Sequence, residues 1–132
     1  MSRQLVGYIK GSGYGIAGKR LKHCVLILNK HGFYFPPLFF GTINLVLEED
    51  YITPEEHIFI SQKEIDSIDP GFKEWWKLIP IKKVNGKPAN GFIYRTQQNC
   101  HGNGVIELVT ENLSGWDGVG LCPDSQIVVQ VE

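Results

Sequence analysis

No apolar run in this chain continues for long, because 15 glycines and 7 prolines are spread through its 132 residues. Gly, Pro and Asn clusters punctuate a series of short runs rich in Val, Ile, Tyr and Phe, each about the length of one strand. Leu5–Lys10, Gly41–Leu47, Ile58–Ile60, Glu74–Val84, Gly91–Thr96, Val105–Val109 and Gln126–Val131 all read this way. Asn85-Gly86, between two such runs, supplies the positive φ angles that a two-residue hairpin turn needs. Leu21–Lys30 fits a short helix or a buried strand equally well by periodicity. We expect a helix closed by His31-Gly32. Many short strands with one or two short helices predict a mainly β chain folded as a small barrel.

The length suits a single domain over residues 1–132, with a core that requires no disulfide staples. Cys24, Cys100 and Cys122 are odd in number and widely spaced, so neither a disulfide framework nor a zinc site is indicated. With no secretory pattern at the N-terminus and no apolar run of about 20 residues, the expected location is cytoplasmic, away from any membrane. A net charge of −1 supplies no general attraction to nucleic acid. Any phosphate recognition must be local, which favours a small ligand.

The run Gly41-Thr42-Ile43-Asn44-Leu45-Val46-Leu47 interrupts its apolar alternation with two neutral oxygen-bearing side chains. As a strand it sends Ile43, Leu45 and Leu47 to one face and Thr42 and Asn44 to the other, with the latter two Cα atoms about 6–7 Å apart. Two neutral oxygens hold a cation poorly unless the ligand brings the negative charge. Mg2+ bound with a polyphosphate meets that condition, because it takes one or two protein oxygens and completes its shell with phosphate and water. The alternative is a strand-forming Thr and a solvent-facing Asn.

Upstream, Gly11-Ser12-Gly13-Tyr14-Gly15-Ile16-Ala17-Gly18-Lys19-Arg20 has four glycines in eight residues. The entropic cost of glycine inside a strand predicts a loop here, either plain or curled as an anion cradle with Lys19 and Arg20 at its exit. The named phosphate-loop patterns are absent. Phe33–Phe40 carries five aromatics in eight residues, which would line a flat-ring pocket or plug a barrel end. Glu48-Glu49-Asp50 reads as a solvated acidic turn, and Glu64–Lys73 as a polar stretch turning at Asp69-Pro70-Gly71. Glu107 is a lone carboxylate in an apolar run, facing solvent or a pocket. Cys100-His101 lacks a third orienting group, so covalent catalysis is not expected.

The order of these landmarks resembles the archaeal-type CTP-dependent riboflavin kinases. The resemblance rests on the opening strand into Gly11-Ser12-Gly13-Tyr14-Gly15, on Gly41-Thr42-Ile43-Asn44-Leu45, on Ile79-Pro80-Ile81 with its Asn85-Gly86 turn, and on Gly91-Phe92-Ile93 leading to Thr96. His101 before Val105-Ile106-Glu107 and a last strand after Pro123-Asp124 complete it. It implies a six-stranded closed cradle-loop barrel that moves the terminal phosphoryl of CTP, or another nucleoside triphosphate, to the 5′-hydroxyl of riboflavin, giving FMN. It further implies that Thr42 and Asn44 ligate Mg2+. Gly11, Ser12, Gly13, Tyr14, Gly15, Lys19 and Arg20, with Asn112, Leu113, Ser114 and Gly115, would meet the nucleotide. Thr96 and Glu107 would contact the flavin, with Glu107 orienting the hydroxyl. Phosphoryl transfer through a loose transition state asks mainly for positioning and charge stabilisation, so a strong base is not required. The final loop, Leu113–Gly118, carries no basic residue. That departure keeps open a second expectation, a barrel that binds nucleotide or flavin without turnover.

Overall fold

The computed structural model describes residues 3–13, 21, 24–33, 42–68, 70–71, 74–97, 102–110 and 126–131. Side chains are described for all of these except residues 11–13 and 42. The elements are β1 (Gln4–Gly13), α1 (Val25–Lys30), β2 (Thr42–Leu47), β3 (Ile58–Ile60), α2 (Gln62–Asp66), β4 (Trp76–Pro80), β5 (Lys83–Val84), β6 (Lys87–Pro88), β7 (Gly91–Thr96), β8 (Val105–Thr110) and β9 (Gln126–Gln130). Among the described residues, the chain is therefore mainly β with two short helices.

All the strands pair antiparallel in one sheet of order β3-β4-β7-β8-β2-β1-β9-β5-β6. This differs from the expected six-stranded closed barrel: the described residues form nine strands, and no ladder among them joins β3 to β6. Three of the nine are additions of two or three residues, β3, β5 and β6. Between β4 and β5, Ile81 N donates to Gly91 O at 3.1 Å and Lys82 N to Gln130 O at 2.7 Å.

Strand alternation builds two cores, one on each side of the sheet. Ile9, Ile43, Leu45, Ile93, Ile106, Leu108, Ile127 and Val129 lie together on one side, joined by Tyr51 and Val84. On the other, Trp76, Leu78, Phe92, Tyr94 and Val109 pack beneath α1 and α2. Ile43, Leu45 and Leu47 are all buried in the first core, as the alternation of β2 predicts.

Of the expected Leu21–Lys30 helix, Val25–Lys30 is wound as α1 and Leu21 is also helical, with residues 22 and 23 outside the described residues. The end of α1 is a Schellman motif: Phe33 N donates to Leu28 O and Gly32 N to Asn29 O, with Gly32 at φ +93°. So short a helix is marginal alone. Burial of Ile27 and Leu28, and the tilted packing of Phe33 on Phe92 at 4.7 Å, hold it on the sheet. Residues 34–40, the remainder of the aromatic segment, lie outside the described residues.

Two expectations are corrected. Gly11, Ser12 and Gly13 are not loop but the last residues of β1, with Gly11 opposite Asn44 and Gly13 opposite Thr42. A bulge between Ile9 and Gly11 lets the strand bend there while β2 supplies the pairing that glycine propensity alone would not. The stretch expected to be merely polar, Glu64–Lys73, begins inside α2. Ser61 Oγ accepts from Glu64 N at 3.2 Å, the N-cap bond of an S-x-x-E signal. The Glu64 carboxylate turns instead to α1, accepting from His31 Nε2 at 3.1 Å and pairing with Lys30 Nζ at 3.5 Å.

The Asn-Gly hairpin forms as predicted, with Asn85 at φ 50° and Gly86 at φ 79°. Asn85 also binds β9: its N donates to Val128 O, and its Oδ1 accepts from Val128 N at 2.9 Å. Glu48, Glu49 and Asp50 are exposed, as expected for a solvated turn.

Candidate functional site

Directly opposite residues of an antiparallel pair project to the same face, with Cα atoms about 4.5–5.5 Å apart. The ladders put Gly11 opposite Asn44, Asn44 opposite Glu107, and Glu107 opposite Tyr94. Carboxamide, carboxylate and phenol thus stand in one row across β2, β8 and β7, with a glycine at the end on β1. The face is the one that α1 covers further along, at Phe92, Tyr94 and Val109. Towards β1 it opens, where the directly paired Tyr8 and Val46 are 38% and 42% exposed. Asn44 and Glu107 sit at the margin, both half-buried.

Within that row, Asn44 Oδ1 is a buried acceptor with no hydrogen-bond partner among the described residues. A buried amide oxygen normally finds a donor, since leaving one unmade costs about 1–3 kcal/mol. An oxygen of this kind is a suitable donor atom for a hard cation.

Of the residues expected at the site, the row unites Asn44, Glu107 and Gly11. Thr42 lies two residues before Asn44 in the same strand, and its backbone pairs with Gly13. The role expected for the Thr42 side chain lies outside the described atoms. Thr96 is half-buried at the end of β7 opposite Trp76, two residues beyond Tyr94 on the same face. It is not in the row. Tyr14, Gly15, Lys19, Arg20, Asn112, Leu113, Ser114 and Gly115 all lie outside the described residues.

Tyr94 is the member of the row that the sequence reading passed over. It is 2% exposed and meets Trp76 edge-on at 5.2 Å, while the Trp76 indole N–H donates to Glu74 at 3.1 Å. Its i, i+2 spacing from Thr96 was the available signal, since the two share a strand face.

Among the described residues no cluster of three His, Cys, Asp or Glu side chains is placed to hold a metal. A cation at the row would have a single carboxylate, Glu107, beside the Asn44 oxygen, and would depend on a ligand for the rest of its neutralising charge. A groove of about 230 Å³ lined by Arg3, Gln4, Leu5, Val6, Leu47, Glu48 and Glu49 contains none of these residues. No described helix is long and apolar enough to cross a membrane. Neither the protein-family models nor the curated proteins contain a match to this chain.

Proposed function

We propose that the chain is a metal-dependent phosphotransferase that moves the terminal phosphoryl of a nucleoside triphosphate, CTP by resemblance, to the 5′-hydroxyl of riboflavin. The observation that carries this reading is the orphaned Asn44 Oδ1 in a row with Glu107, beside a glycine-bearing strand edge. That oxygen fits Mg2+, and Asn44 with Thr42 would hold it. The ion would supply charge neutralisation between the phosphates. Glu107, one strand over, would accept a hydrogen bond from the acceptor hydroxyl and orient it, while Thr96 would meet the flavin. Tyr94, at the buried end of the row, packs in the cluster under α1, and exclusion of water from that end would strengthen electrostatic stabilisation of a transferring phosphoryl.

The closed-barrel form of this reading draws support from the segment between β4 and β5. That stretch bonds to β7 through Ile81 and to β9 through Lys82, so one continuous stretch, 76–84, touches both flanks of the array β7-β8-β2-β1-β9. Counted as one strand with β4 and β5 together, it makes six.

The test is FMN formation from riboflavin with Mg2+ and each of the four nucleoside triphosphates. We expect turnover with at least one, CTP first, and loss of it in Asn44→Ala. No FMN from any of the four refutes the kinase. Binding of triphosphate and flavin without turnover would instead support the non-catalytic module, for which the lack of a basic residue in Leu113–Gly118 is the motivating feature.

A further inference from the structure

We propose that Arg95 forms the floor of an oxyanion-binding site on the opposite side of the sheet from the Asn44 row, taking phosphate or carboxylate oxygens on its side-on fork. The proposal does not rest on the kinase reading. Arg95 is 6% exposed and lies on the face of β7 that carries Ile93 in the first core. Its Nη1 donates to Thr53 Oγ1 at 2.9 Å, and its guanidinium carbon stands 5.4 Å from the centre of the Tyr51 ring. Its Nε and Nη2 are buried and have no hydrogen-bond partner among the described residues. Those two nitrogens form the edge of the guanidinium whose parallel N–H bonds match two oxygens of one carboxylate or phosphate. Thr53 and Tyr51 therefore hold the group by its other edge and its face.

The surrounding charges point the same way. Lys77 is directly opposite Arg95 on the β4–β7 ladder, on the same face, where like charges repel. Neither has an ion-pair partner among the described residues, and Lys77 Nζ rests instead over the Trp75 ring at 4.9 Å. Arg3 stands over the same Tyr51 ring as Arg95, at 4.9 Å. Burial lowers the Arg95 pKa from its ordinary value, with the nearby Tyr51 acting to raise it. Desolvation thus works against the cation, and a bound anion would relieve it. The irregular segment Tyr51–His57, which carries Thr53, would admit the anion by local opening.

The test is titration of the isotopically labelled full chain with inorganic phosphate, with acetate, and with sodium chloride as the ionic-strength control. The Arg95 Nε–Hε resonance and the melting temperature are the two readouts. We expect phosphate, acetate or both to move the resonance saturably and to raise the melting temperature, and the more effective of the two identifies the oxyanion source. Arg95→Lys keeps the charge but loses the fork, and should weaken the effect about tenfold or more. Thr53→Val frees Nη1 and should weaken it as well. Repeating the titration in Asn44→Leu should leave the response in place, which separates this site from the Asn44 row. A response matched by chloride, or no saturable response, overturns the proposal, as does one retained in Arg95→Lys. If Arg95→Lys does not fold, the wild-type resonance and Thr53→Val decide.

Discussion

Asn44→Leu puts a structural cost and a functional role in opposition at one atom. The side chain is half-buried, and its Oδ1 is buried with no partner among the described residues. Leucine has nearly the shape of asparagine and nothing to leave unsatisfied, so it removes a penalty of about 1–3 kcal/mol, less the strain of exchanging a planar amide for two bulkier methyl groups. A net gain of about 1 kcal/mol in the ligand-free protein is expected. With an unfolding entropy of about 2.1 cal/mol/K per residue, a chain of 132 residues gains about 3–4 °C in melting temperature for that amount. In the wild-type chain, a Mg2+–triphosphate complex at about a hundred times its dissociation constant adds about 2.7 kcal/mol. The variant should lose the Mg2+-dependent part of that rise. Differential scanning fluorimetry with and without Mg2+, CTP and riboflavin reads both quantities. A ligand-free melting temperature lowered by several degrees would mean that the oxygen is satisfied in solution, refuting the cost argument. An unchanged Mg2+-dependent shift would refute the metal role.

Gly91→Ala should destabilise by about 2–4 kcal/mol in urea unfolding, because an added Cβ meets the Val109 carbonyl oxygen and comes within 2.7 Å of Thr110 Cα, both backbone. Ser61→Ala removes the N-cap acceptor of Glu64 N and should cost about 1 kcal/mol by the same assay. Gly32→Ala has room around its Cβ but would force alanine to φ +93°, so a loss of about 1 kcal/mol is expected with no change in the slope of unfolding against urea. Trp76→Phe keeps the ring packing near Tyr94 but deletes the indole donor to the buried Glu74 carboxylate, which should lower stability by about 1–3 kcal/mol.

Much of the local structure was legible from residue type and spacing. Alternation in β2 set Ile43, Leu45 and Leu47 apart from Asn44, the Asn85-Gly86 pair announced its hairpin, and Gly32 ended α1. These are short-range effects of side-chain geometry and φ preference. The Ser61-x-x-Glu64 signal for α2 was equally local and was passed over beneath a polar composition.

What the tertiary structure decided is register. Gly11–Gly13 belong to a strand because β2 pairs with them, an energy no glycine propensity contains. The alignment of Asn44 with Glu107 and Tyr94 joins residues far apart in the chain, and a shift of one residue in any ladder would turn a member of the row to the other face. That Arg95 has no ion-pair partner among the described residues likewise depends on which strand lies beside β7, since it faces Lys77 rather than a carboxylate. Residue types supplied the functional groups, but long-range pairing selected which of them meet.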